Sequence, residues 1–258
     1  MAEYPHILAA NAIENASHTL ENGAGTGLAE DPVYRLAHLG DRSRLSKWRG
    51  HSSNQVQRVK WLFGEPVQCD TFVLDKNFNF NPGATLKLQH SADGSTWTTA
   101  LTLEDLQSDS IYWRSFTDTA RPLWSILIEG LTCAPGIFNL WLGKRIELNF
   151  GPSGNFDPYE EETVGENVHG ASGGFQRVHR YRRRVFRAFF ENLIDSQYCL
   201  LGQWWQEAGC EGKNWWWLTW PESEPGDPLY LNCEGTARRF GFYRGSARSG
   251  EIAAWEVK

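Results

Sequence analysis

Gly170-Ala171-Ser172-Gly173-Gly174 has the G-x-S-x-G spacing that can expose a nucleophilic serine. That chemistry needs a strand leading into the serine and a helix leading out of it. Here a polar stretch precedes the motif and an arginine-rich segment follows, so the context argues against acyl transfer. Gly23-Ala24-Gly25-Thr26-Gly27 gathers glycines as a phosphate-cradling turn does. However, Leu28 does not complete G-x-G-x-x-G, and no P-loop lysine follows. The seven histidines are scattered, with no H-E-x-x-H. The five cysteines (Cys69, Cys133, Cys199, Cys210 and Cys233) form no C-x-x-C pair. No metal, no cofactor and no catalytic residue is therefore expected. Carboxylates are plentiful, and spacing alone leaves a glycosidase-type pair open as an alternative.

The charged residues are better organised than these motifs. Asp157, Glu160, Glu161 and Glu162 lie in a polar segment, and Arg180, Arg182, Arg183 and Arg184 lie in a strand-like run that becomes apolar at Val185-Phe186. Arginine on both faces of a strand needs solvent or partners. Three readings follow: a solvated strand end, an intersubunit contact in which arginine forks meet the acidic arm, or phosphate contact. The net charge of −6 argues against general nucleic-acid affinity. These eight residues are thus the candidate subunit interface.

The elements that would position such residues are mostly strands. In 258 residues there is room for two domains. Leu86 and Leu88 share one face of a short strand, as do Trp124, Ile126 and Ile128 of another. Asn81-Pro82-Gly83 and Asp93-Gly94 are turn signals. Beyond Gly143 the texture changes. Residues 151–174 read as an extended acidic arm, and one helix is expected over 195–208. Asp195 would be its N-cap, Tyr198, Leu201, Trp205 and Ala208 its apolar stripe, and Gly209 its stop. Trp215-Trp216-Trp217-Leu218 reads as a strand needing cover on both faces, from the helix and sheet or from a neighbouring subunit. The 13 tryptophans suit cores, interfaces and sugar platforms alike. No apolar run is long enough to span a bilayer. Met1 to His6 show no basic region leading into an apolar run, so secretion is not expected and the cysteines read as reduced.

Several of these segments carry a family resemblance. His90-Ser91-Ala92-Asp93-Gly94-Ser95-Thr96-Trp97 resembles the S-x-D-G-x-x-W hairpin of discoidin, or coagulation factor 5/8 C-type, domains. Gly40 to Trp48, Val59 to Leu74 and Arg121 to Ile126 are similar to further segments of that family, in the same order. The resemblance implies a galactose-binding-like jelly roll over 34–142. It also implies that loops at one end of the sandwich bind sugars, lipids or proteins. Candidate loop residues are Arg42, Arg44, Asn77, Asn79 and Trp113, while Trp48 and Trp97 are expected in the core. The Gly-rich segment before Asp41 does not map onto the family's pattern, nor are its terminal cysteines present.

The segment from about Leu142 to Lys258 resembles phage tail and baseplate ring proteins, distal tail proteins included. Its polar Gly-rich loop, arginine-rich strand, helix ending in Ala208-Gly209 and aromatic strand ending in Trp220-Pro221 carry that resemblance. The expected architecture is all-β with one notable helix. It comprises an N-terminal segment (1–33), a discoidin-like sandwich (34–142) and a second small sandwich with a flanking helix (143–258). The resemblances imply a non-catalytic virion structural protein of the tail, assembled in the host cytoplasm as a homo-oligomeric ring with other tail proteins. It would contact a cell-surface glycan, without membrane insertion or sequence-specific nucleic-acid binding. A stand-alone carbohydrate-binding module and a carbohydrate-active enzyme are the alternatives.

Overall fold

A computed structural model describes residues 3–22, 24–51, 56–154, 156–169, 175–223, 227–233, 239–242 and 248–257. The backbone divides into two compact units. One comprises Met1–Ala9, Ile146–Glu222 and Leu229–Lys258, and the other Ala10–Arg145 and Ser223–Pro228. The first 33 residues are therefore not a segment apart. Strand β1 (His6–Leu8) joins the first unit, and strand β2 (Ser17–Asn22) joins the second. The reason is burial: Ile7 and Leu8 are wholly enclosed, and a three-residue strand holds only when paired on both sides.

The second unit is thus an insertion in the chain of the first. Its strands are β2, β3 (Trp48–Arg49), β4 (Gln57–Phe78), β5 (Thr85–Ser91), β6 (Thr98–Leu103), β7 (Ile111–Glu129) and β8 (Gly136–Gly143). They form one antiparallel sheet in the order β3-β8-β4-β7-β5-β6, with β2 also on β4. A straight strand of 22 residues would reach roughly 70 Å. Instead, the two ends of β4 lie together. The ring of Phe78 leaves no room for a Cβ on Gly136, while the Gln57 amide and Pro135 crowd the same space beside Gly50. The strand bends where its register with β7 shifts, between Leu62 and Val67 and again between Cys69 and Thr71. The sheet so folds over itself into a sandwich. Val59, Trp61, Phe72, Leu74, Leu86, Leu88, Trp124, Ile126, Leu140 and Leu142 fill the interior.

The first unit is built on β1, β9 (Ile146–Glu147), β10 (Glu161–His169), β11 (Phe175–Leu193), β12 (Trp215–Leu218), β13 (Leu229–Cys233), β14 (Arg239–Phe242) and β15 (Arg248–Glu256). The antiparallel order is β10-β11-β15-β13-β12-β1-β9, with β14 also on β15. Helix α1 (Asp195–Glu207) lies among the core residues through Leu201, Trp204 and Trp205. Its N-cap is Ile194, one residue before the expected Asp195, and the Gln197 side chain accepts the Ile194 N–H at 3.1 Å. Asp195 instead ion-pairs with Arg248 at 3.1 Å. Gly209 is required by packing, since a Cβ there would lie 2.5 Å from the Trp205 ring. The left-handed turn falls later, on Gly212 at φ 62°.

On β12 the alternation separates the tryptophans. Trp215 and Trp217 meet Phe186 edge-on, at 6.1 and 4.8 Å between centroids, and Trp216 stacks obliquely on Tyr230 at 4.6 Å. All three tryptophans are fully buried within one chain, so their enclosure does not call for a neighbouring subunit.

The acidic arm expected over 151–174 is in part a strand. Residues 161–169 pair antiparallel with β11, placing Glu161 opposite Arg184 and Glu162 opposite Arg183. Glu161-Glu162-Thr163-Val164-Gly165-Glu166 offers no continuous apolar face, which is why the segment reads as a loop until its basic partner is found. Gly170 to Gly174, the G-x-S-x-G segment, lie outside the described residues, as does Gly23 of the earlier glycine cluster. Among the described residues no helix is long and apolar enough to cross a membrane.

Candidate functional site

The five loop residues read from the sequence hold the sandwich together. The Arg44 side chain is enclosed and grips Asp75 with two bonds, Nε to Oδ2 at 2.7 Å and Nη2 to Oδ1 at 3.0 Å. Asp75 lies wholly inside, and burial pushes its carboxyl upward against the opposing pull of Arg44. Arg42, held at φ 57°, bonds Glu14 at 2.8 Å and lies 4.8 Å over the Trp141 ring. Asn77 is buried and donates to the Gln107 carbonyl at 3.0 Å, and Asn79, at φ 61°, donates to the Ala134 carbonyl at 3.2 Å. Trp113 is 3% exposed. These groups are committed to partners or enclosed, and they do not come together as an open site.

An open site does exist at the end where the two ends of β4 meet. Strand β2, the segment after it, β3 and the loop before β8 enclose a cleft of about 370 Å³. Glu30, Asp31, Arg49 and His51 supply its charged and polar lining, with Leu20 and Ala134 among its walls. Asp31 is held by its own turn: Oδ1 accepts Val33 N–H at 2.8 Å and Tyr34 N–H at 3.1 Å. These two donors, and then Arg49, hold its carboxyl below the usual carboxylate range. Glu30 accepts the Leu36 N–H. His51 is bracketed by the Gln57 amide, which accepts its N–H and donates to its carbonyl, both at 2.7 Å. Gly50 N–H bonds the Pro135 carbonyl at 2.8 Å. Arg49 is exposed, and among the described residues its guanidinium has no ion-pair partner.

Anionic acceptors beside a guanidinium with open donors match adjacent hydroxyls, each of which both donates and accepts. Among the described residues no group of three or more histidine, cysteine or acidic side chains is placed to hold a metal ion. Sequence reasoning missed this cleft because its residues come from four separated segments. The one local signal was Glu30-Asp31-Pro32, a carboxylate ahead of a turn-setting proline.

The candidate interface residues also find partners within the chain. Glu162 meets Arg183 at 3.1 Å, Glu161 meets Arg182 at 3.9 Å, and Arg184 meets Glu256 at 3.7 Å. Asp157 caps the Tyr159 N–H at 2.8 Å, and the Glu160 carbonyl accepts the Val185 N–H at 2.9 Å. Arg180 is exposed. The charge complementarity that suggested contact between subunits operates across the β10–β11 hairpin.

No protein-family profile matches the chain, and no curated protein sequence does. Solved structures are similar to it at low identity. A chitosan-binding module of a chitosanase/glucanase from Paenibacillus sp. IK-5 is 14% identical, with a TM-score of 0.42 over 51% of this chain and 97% of that one. A carbohydrate-binding module from Clostridium perfringens, solved with GalNAc-β-1,3-galactose, is 16% identical, with a TM-score of 0.41 over 53% of this chain and 99% of that one. A pectin-binding carbohydrate-binding module is 13% identical, with a TM-score of 0.38 over 49% of this chain and 88% of that one.

Proposed function

We propose that the inserted unit is a non-catalytic glycan-binding module whose ligand occupies the cleft formed by Glu30, Asp31, Arg49 and His51. The observation that carries this reading is the placement of two carboxylates with Arg49, whose guanidinium has no ion-pair partner among the described residues, in one open polar depression. Hydroxyls of a neutral sugar bridge such groups at little desolvation cost, because every polar group keeps a partner. The test is a glycan array followed by calorimetry on the best ligand. Arg49→Ala should weaken binding roughly tenfold, the scale of one charge-assisted hydrogen bond. Absence of glycan binding, or an unchanged affinity in Arg49→Ala, overturns the reading. Release of reducing sugar from a polysaccharide would instead mark a carbohydrate-active enzyme.

A second reading concerns the other unit. Tyr181 and Phe189 lie on the outward face of β11, 52% and 49% exposed, with Trp255 of β15 on the same face. Exposed aromatics on one sheet face favour association. We propose that this face supports the homo-oligomeric ring of a virion tail subunit, with the glycan module displayed at the host surface. Light scattering should then give a defined oligomer that Phe189→Glu dissolves. A stable monomer across physiological salt overturns this second reading and leaves a stand-alone glycan-binding protein.

A further inference from the structure

The outer face of the layer formed by β2, the first part of β4, the second part of β7, β5 and β6 carries a cation with no ion-pair partner among the described residues. Alternation along β4 turns Val59 and Trp61 into the core and Arg58, Lys60 and Leu62 outward. Trp97, just before β6, does not join the core as the sequence suggested. Its indole N–H donates to the Gly94 carbonyl at 3.2 Å, which anchors the ring against the hairpin turn and leaves it half-buried. Arg58 lies 5.0 Å and Lys60 5.7 Å from the centre of that ring. Two cations on one indole raise the local positive potential. Lys60 is neutralised by Glu21 at 2.6 Å.

Arg58, which lies opposite Glu21 across the β2–β4 pairing, makes no ion pair among the described residues. Nη2 donates to Gln89 Oε1 at 3.1 Å, and Gln89 is steadied by Thr99 Oγ1 at 3.2 Å. Nε is buried with no acceptor, and no carboxylate pairs with the guanidinium among the described residues. A guanidinium seated over an indole and steadied by a side-chain amide is partly preorganised to meet a carboxylate. Leu62, 55% exposed, extends the same face with apolar surface.

We infer that this face is a second glycan contact, separate from the cleft, which selects polysaccharides carrying uronic acid carboxylates. The carboxylate meets the Arg58 guanidinium, and the pyranose rings lie beside Trp97 and along Leu62. The inference rests on the glycan-binding reading of the same unit for its polymer, and on charge complementarity for its selectivity. A structural role alone, in which the arginine stem merely covers Trp97, would give Arg58 no influence on charge-dependent binding.

The test compares polygalacturonate with its fully methyl-esterified form, which keeps the sugar backbone and removes the charge. Binding of the full chain is measured by calorimetry at low and high salt. The acid form should bind roughly tenfold more tightly at low salt, and the difference should shrink as salt rises. Arg58→Gln should remove the preference. Arg58→Lys should keep part of it, and its folding is checked by thermal melting so that a misfolded Arg58→Gln does not decide the question. Arg49→Ala should leave the acid preference intact. Equal affinity for the two polymers, or a preference that survives Arg58→Gln, overturns the inference while neutral-glycan binding at the cleft still stands. Acid-selective binding with no neutral-glycan binding keeps this site and removes the cleft. Binding to neither polymer nor to any neutral glycan removes both.

Discussion

The Gln57 amide closes on the His51 backbone from both sides, accepting its N–H and donating to its carbonyl, each at 2.7 Å. Gln57 is fully buried at the first residue of β4, so its side chain replaces the ladder that a strand would offer the segment before it. The cleft wall at His51 therefore depends on a residue that does not line the cleft. Gln57→Ala should destabilise the protein by about 2 kcal/mol, since two hydrogen bonds to the His51 backbone are lost and the buried Gln57 side chain leaves a gap at the start of β4. Denaturant melts read the loss. Glycan affinity at the cleft should fall with it, whereas the acid preference at Arg58 should persist.

Arg44 and Asp75 make a stronger dependence of the same kind. Their side chains are 6% and 0% exposed, so neither charge has solvent to fall back on. Removing one partner leaves the other buried and alone, at a cost of about 3–5 kcal/mol. Arg44→Ala should thus unfold at markedly lower denaturant. The double variant Arg44→Leu with Asp75→Leu should recover much of the loss, because no unpaired charge remains. Equal stabilities for the single and double variants would show that the pair is not what holds this loop.

That pair also shows what was legible in the chain. The strands around Leu86 and Trp124 and the turn at Asp93-Gly94 could be read because alternation and turn chemistry are local. Asp93 accepts Ser95 and Thr96 N–H at 2.9 and 3.0 Å, and Gly94 supplies φ 79°. Arg44 looked like an open loop residue because its carboxylate lies 31 positions away. The cleft was hidden for the same reason, its lining being drawn from residues around 20, 30, 50 and 134. Strand β10 was obscured because its partners are charged rather than apolar. Strand β1 is three residues long, too short for any periodicity to appear.

The free thiols should separate into two reactive classes. Cys69 and Cys233 are buried, and burial pushes both thiols up, Cys233 to about 11. Cys133 and Cys199 are exposed. Alkylation at pH 8 in native buffer, read by peptide mass spectrometry, should modify Cys133 and Cys199 and spare Cys69 and Cys233. Denaturant should make the buried pair react. Early modification of Cys233 would mean that β13 opens readily.

Asp93 gives a pH dependence with a definite sign. Backbone N–H of Thr96, the Ser95 hydroxyl and N–H, and the Ser91 hydroxyl hold its carboxyl far below the usual range. A carboxyl depressed in the folded state binds its proton more readily when unfolded, at a pKa of about 4. Its contribution to stability is therefore complete above that value and is lost as pH falls through the folded pKa. Asp93→Asn should melt below the wild type at pH 7, and the gap should narrow steadily between pH 4 and pH 2. The Asn amide still offers one oxygen to the turn, so the pH-dependent part of the gap isolates the charge. A gap of constant size across that range would assign the loss to altered turn geometry instead.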